Sequence, residues 1–243
     1  MKSSILLAIV AVMATGCAVA PKQPIDPNVK AALRNQSVAV TTRERTDFAP
    51  YTLAMANAAA AAPVNTTGMN KKAAGFAIGF NSGMASSMAR RAADRYKPIT
   101  DAVADPAQAI AALLVADMVQ HEGVQPVASN VSVPKGSKAA DIAAAARGNA
   151  AYVLDVETDT WGMTYQPANP MHYDFKMRAN AMLINAQTGA VVASANCTDL
   201  PDPTRSAPTA DEMMAEKGAV LKQMMATQVA NCAASLRRDM LGL

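Results

Sequence analysis

Between Ala150 and Cys197 the chain carries three successive strand signals, which place a β-sheet at the centre of whatever it folds into. Ala150 to Thr160 (AAYVLDVETDT) is apolar at its start and alternating later, the pattern of a central strand that runs out to an exposed end. His172 to Ile184 reads as a second, long strand. Asn185-Ala-Gln-Thr-Gly189 forms a hairpin turn with glycine where positive φ is wanted, so Ala190 to Cys197 returns antiparallel. The aromatic-rich stretch 161–173 reads as a loop.

Helix signals flank this sheet. Asp105 is an N-cap, Pro106 takes the first helical position, and Gln108 falls three residues after the cap. Ile110, Leu113, Leu114 and Met118 then form one apolar face, and Gly123 ends the helix. Val124 to Ala128 follows as a short strand. Ser137 caps an alanine-rich helix that stops at Gly148. Pro201, Pro203 and Pro208 block further strand pairing. Thr209-Ala-Asp-Glu212 is a capping box that opens a last helix over about 209–240. Its face of Met214, Leu221, Met225, Cys232 and Leu236 turns toward the sheet. Upstream of all this, Gln36 to Thr42 (QSVAVTT) has the alternation and β-branching of a first strand. The fold class is therefore α/β (α+β): a mixed sheet of about five strands flanked by three helices. An Ala/Gly-rich insertion at 51–97, helical or flexible, follows the first strand. Residues 36–243 make one domain.

The amino terminus is an address. Lys2 supplies a positive start, Ile5 to Met13 is an unbroken apolar run, and Ala14, Thr15 and Gly16 are small. The run is too short to span a bilayer, which needs about 20 apolar residues. Ala14-Thr15-Gly16-Cys17 resembles the lipobox of bacterial lipoproteins, departing from it where Ala14 stands in place of the commoner leucine. The resemblance implies that 1–16 is a signal peptide removed before Cys17, that the Cys17 sulfur carries a diacylglyceryl group, and that the new amino terminus is acylated. Ala18, where an aspartate would imply inner-membrane retention, implies the outer membrane. The alternative is an ordinary secretory signal cut after Ala18-Val19-Ala20. With about 0.8 kcal/mol per buried CH₂, such acyl chains would hold the protein at the membrane. Residues 17–35, with Pro21, Pro24 and Pro27, read as a lipid-anchored, semi-rigid linker.

Composition narrows the remaining classes. With 51% hydrophobic and 17% charged residues, a disordered or solvated linker protein is excluded. A net charge of +3 over 243 residues lacks the concentrated basic face of a nucleic-acid binder. With Cys17 lipidated, Cys197 and Cys232 remain. An even pair in an oxidising compartment has one intrachain connectivity, the alternative being two buried thiols. Cys232 lies on the sheet-facing stripe of the last helix and Cys197 ends a strand, so the same packing brings them close.

The element order resembles the α/β domain at the amino terminus of TolB and in the curli-secretion lipoprotein CsgG. More specifically it resembles a group of uncharacterised bacterial outer-membrane lipoproteins. The residues that carry this are Tyr152-Val-Leu-Asp155-Val, Trp161-Gly162, the stretch from Pro167 to Tyr173, and Leu183-Ile-Asn-Ala-Gln-Thr-Gly189 followed by Val191-Val192. They span about 105–200 and imply a fold, which does not fix a function.

Candidate sites are few. His121 and His172 sit at element ends without a second ligand at metal spacing, so no metal site or cofactor is expected. Ser82 in Gly79-Phe-Asn-Ser-Gly83 is one residue out of step with a nucleophile elbow. Asp155, Glu157 and Asp159 share one strand face, which reads as a solvated face, the alternative being a cation site. Gly75, Gly79 and Gly83 recur every fourth residue inside the charge-free run from Ala73 to Met88, with Arg90, Arg91 and Arg95 following. On a helix they make a groove for a membrane surface or for a second copy, the alternative being a connector. Trp161, Tyr165 and Tyr173, stiffened by Pro167 and Pro170, could present an anchor to a protein partner, or close one end of the core. The expectation is a lipid-anchored outer-membrane protein facing the periplasm, a non-enzymatic assembly or protein-interaction component of the envelope. The alternatives are a subunit of a homo-oligomeric secretion or transport complex and, last, an envelope hydrolase.

Overall fold

A computed structural model describes residues 22–51, 91, 94–98, 100–166, 168–199 and 206–243. Seven strands of one mixed sheet are formed by these residues: β1 (Ser37–Thr42), β2 (Ala49–Tyr51), β3 (Gln125–Pro126), β4 (Val131–Ser132), β5 (Tyr152–Gln166), β6 (Asn169–Asn185) and β7 (Val191–Asp199). The main path runs β3-β1-β5-β6-β7, with β4 adding to β1 and β2 to the far half of β5. Pairings of β1 and β2 with β5 are parallel, while β5–β6 and β6–β7 are antiparallel. The helices are α1 (Pro27–Ala32), α2 (Pro106–Glu122), α3 (Ala139–Ala146) and α4 (Ala210–Leu236), continued by a π-turn at Arg237–Leu241.

Helices cover both faces of the sheet. Ile110, Leu114 and Met118 of α2 and Leu221, Met225 and Leu236 of α4 pack on one face with Leu154, Val156 and Leu183. Ile142, Ala143 and Ala146 of α3 pack on the other with Ala39, Val153 and Ile184. Coverage on both sides is why Tyr152 to Val156 is buried without a break. No helix among the described residues is long and apolar enough to cross a membrane.

β5 and β6 are longer than their sequence signals. The stretch expected as a loop at 161–173 is instead the distal half of a hairpin, with Trp161 opposite Met177, Met163 opposite Phe175 and Tyr165 opposite Tyr173. A bulge between Thr158 and Thr160 makes this possible. Before it Tyr152, Leu154 and Val156 face the larger core; after it Trp161, Met163 and Tyr165 do. The extra residue inverts the parity of β5, while β6 keeps one parity from Tyr173 to Leu183. The change of step at Asp159, an exposed position, hides the strand from a period-two reading.

Other local differences have similar causes. Asp105 caps α2 by accepting from the Ala107 N–H at 2.9 Å, and Gly123 ends it at φ +68°, as their positions in the sequence require. Leu113, expected on the apolar face, is 42% exposed, and Ala107 and Ala111 complete that face instead. Ser137 does not cap α3: its hydroxyl donates to the Pro134 carbonyl, and the helix starts at Ala139 behind Lys138. The last helix is broken at Ala215–Gly218, where Glu216 and Lys217 take positive φ, so its buried first-turn residue is Met213 rather than Met214. Pro208 still pairs, because its carbonyl accepts from the Tyr173 N–H at 2.8 Å.

Gly162 is where β2 can reach β5. An added Cβ there would lie 1.9 Å from the Ala49 carbonyl oxygen and 2.7 Å from its carbon, backbone atoms that cannot step aside. Gly162→Ala should therefore detach β2 and cost about 3 kcal/mol by overpacking, read as a lower urea midpoint. An unchanged midpoint would contradict the β2–β5 pairing.

Candidate functional site

Polar chemistry gathers at two places. The first lies where β1 ends alongside β5, which runs on past it, next to the start of α2. Asp155, expected on a solvated strand face with Glu157 and Asp159, is 1% exposed. Arg43, just past β1, meets it with two hydrogen bonds, Nε to Oδ1 at 2.9 Å and a terminal nitrogen to Oδ2 at 3.0 Å. The Thr41 hydroxyl donates to the same carboxylate at 2.7 Å. Arg43 also donates to the carbonyls of Pro134 and Ser137, tying the loop before α3 to the sheet. Burial works against the guanidinium charge, but the hydrogen bond and the charge of Asp155, with Glu157 farther off, hold Arg43 above its ordinary value. Of the three acids in the expected row, Glu157 is half-buried and Asp159 is exposed beside Arg178, so they do not act together.

A crevice of about 10 Å³, the room of roughly one water, sits next to this pair and is lined by Arg43, Thr46, Asp105, Gln108, Glu157 and Thr158. The Thr158 hydroxyl is buried there with no protein partner among the described residues. Burial pushes the Asp105 carboxyl up, while the Ala107 N–H and Arg45 pull it down. Gln108 donates to the Thr41 carbonyl at 2.9 Å. The Thr46 hydroxyl donates to the Thr158 carbonyl at 2.7 Å.

The second place is the corner where the chain enters the domain. The expected linker 17–35 is, from Gln23 onward, part of the packed body. Gln23 and Ser194 exchange backbone hydrogen bonds at 2.8 Å in an antiparallel bridge to the outer edge of β7. The Ile25 N–H donates to the Met240 carbonyl at 2.9 Å, and Ile25 is buried. Asp26 caps α1, Leu33 is fully buried, and Lys30 reaches the Leu241 carbonyl at 2.8 Å. Lys22 forms an ion pair with Asp239 at 2.7 Å, and that hydrogen bond holds the Asp239 carboxyl below its usual range. The pair is thus intact at neutral pH and is lost only as pH falls through the lowered value.

Beside this corner Cys197 and Cys232 form a disulfide with Cα atoms 5.4 Å apart, joining β7 to α4. Closing a 35-residue separation restricts the unfolded chain by on the order of 3–4 kcal/mol. Around it Thr198, Asn231, Ser235 and Arg238 line a surface depression of about 260 Å³.

The aromatic group is resolved in favour of the core. Trp161 and Tyr173 are 1% and 8% exposed, so neither ring is offered to a partner. Phe48 meets Trp161 edge-on at 5.2 Å, Arg45 lies 5.3 Å from the Trp161 ring centre, and the indole N–H donates to the Thr46 carbonyl. Tyr165 is half-buried and stacks on Tyr51. His172 bonds through Nδ1 to the Ala207 carbonyl, and His121 is exposed at the end of α2. Cys17, Gly75, Gly79, Gly83 and Ser82 lie outside the described residues. Sequence reasoning missed the Arg43–Asp155 pair, although its signal was present: an aspartate inside YVLDV must be buried if that strand is central.

No protein-family model and no curated protein sequence matches the chain. The crystal structure of the lipoprotein GNA1162 from Neisseria meningitidis aligns with it at 13% identity, over 81% of this chain and 96% of the other. The TM-score is 0.27, and at that level the likeness carries no argument about fold or function.

Asp155→Ala leaves Arg43 buried without its counter-charge and should cost about 3–5 kcal/mol in urea unfolding. The double variant Arg43→Met/Asp155→Leu should recover much of that loss. A single-variant cost below about 1 kcal/mol would show that the pair does not organise this end of the sheet.

Proposed function

We propose that the protein is an outer-membrane lipoprotein, anchored through Cys17 and facing the periplasm, whose α/β domain acts without catalysis as an assembly or interaction component of the envelope. The observation that carries this reading is the order of the amino terminus: a basic start, a short apolar run, and Ala14-Thr15-Gly16-Cys17 placed five residues ahead of Lys22, where the packed domain begins. The disulfide between Cys197 and Cys232 suits an oxidising compartment. A non-catalytic role is supported by how the polar groups are used. Asp155, Arg43 and Thr41 satisfy one another, Asp105 and Thr209 cap helices, and His172 holds a carbonyl.

Cys17→Ser should abolish labelling by radioactive palmitate and move the protein from the membrane fraction to the soluble one. Retention of the variant in the outer-membrane fraction at the parental level would overturn the anchor.

A further inference from the structure

The corner at which the anchor-bearing end of the chain enters the domain is fixed, and its position limits how the domain can sit on a membrane. Gln23 is locked to Ser194 through both backbone hydrogen bonds, and Lys22 to Asp239. Lys22 is five residue steps from Cys17, and an extended chain spans at most about 3.6 Å per residue, so Lys22 lies within about 18 Å of the lipidated cysteine. Because the bridge to β7 is antiparallel, the N-terminal direction of the chain at Gln23 points along β7 toward Cys197 and Thr198. The side chains that stand out there are cationic. Lys22 is 57% and Arg238 69% exposed, and both pair with Asp239, at 2.7 Å and 3.7 Å; that acid is 20% exposed, so two cations share one carboxylate and the corner keeps a net positive charge. Arg237 is 39% exposed and turned to Asp117. Ser235 and Thr198 add hydroxyls to the same depression.

We infer that the corner formed by Lys22, Thr198, Ser235 and Arg238 is a membrane-facing surface, applied to phospholipid phosphates by a tether too short for the domain to stand away from the bilayer. The inference rests on lipidation at Cys17. It adds an orientation and a ligand chemistry: the β7 edge and the end of α4 meet the lipid, and the β6–β7 turn at Gln187 points away from it.

The test uses the full-length lipidated protein in vesicles of phosphatidylglycerol and phosphatidylethanolamine carrying a headgroup acceptor dye. An azide-bearing residue at Thr198 or at Gln187, both exposed, takes the donor dye without adding a thiol near the disulfide. Energy transfer from position 198 should exceed that from 187 at least threefold. A flexible insert of about 25 Gly/Ser residues between Pro21 and Lys22 should bring the two to parity. Arg238→Glu should reduce transfer from 198, and Arg238→Lys should keep it. Equal transfer from the two sites, or more from 187, in protein whose intact mass shows the acyl chains overturns the inference while leaving the anchor standing. Transfer from 198 that Arg238→Glu does not alter overturns the phosphate contact. An intact mass without acyl chains removes the anchor reading itself, and this inference with it.

Discussion

One residue too many in β5 organises this fold. The bulge at Thr158–Thr160 divides the strand into a half that pairs with β1 and a half that pairs with β2, and turns both halves toward the same core. Between them the parallel neighbour is interrupted, since β1 ends at Thr42 and β2 begins at Ala49. The gap is closed by side chains. Arg43 binds Asp155, the Thr46 hydroxyl donates to the Thr158 carbonyl at 2.7 Å, and Trp161 returns a bond to the Thr46 carbonyl. Without the bulge, Trp161 and Met163 would face away from α2 and α4, and the distal hairpin would have no core to stand on.

The buried ion pair belongs to the same constraint. Both members sit at the edge of the smaller core under α3, where five of the ten buried apolar residues are alanines. Replacing such a pair with apolar residues is often neutral or stabilising, so its use here is better explained as specificity. It joins β1 to β5 just beyond their last ladder pair, Val40–Leu154, and through the Pro134 and Ser137 carbonyls ties the turn before α3 to the sheet.

What could be read in the sequence and what could not divide along physical lines. Caps and turns act through neighbours in the chain, so Asp105, Gly123, Gly189 and the Thr209–Glu212 box were legible. The cysteine pair was legible because helix period and strand end point to one place. The distal hairpin was not, because a bulge breaks the period on which strand reading depends. Nor was the docking of 22–35: Gln23 binds a strand 171 positions away and Ile25 a carbonyl at Met240, and prolines in that stretch suggest a spacer. Asp155 was misplaced for a related reason. Its charge suggested solvent, while its five-residue apolar run required burial on both faces.

A chain fastened at Gln23 leaves little slack before Cys17, the residue proposed to carry the lipid. The most direct test of this docking is hydrogen exchange at the backbone amides of Gln23 and Ile25 in the mature protein. Each donates to a carbonyl of the domain, at Ser194 and Met240, so both should exchange roughly a hundredfold or more slowly than an unstructured amide. Exchange of both at the unstructured rate, with the β5–β6 amides still protected, would show that the segment is a free linker and that Cys17 is not held close to the domain.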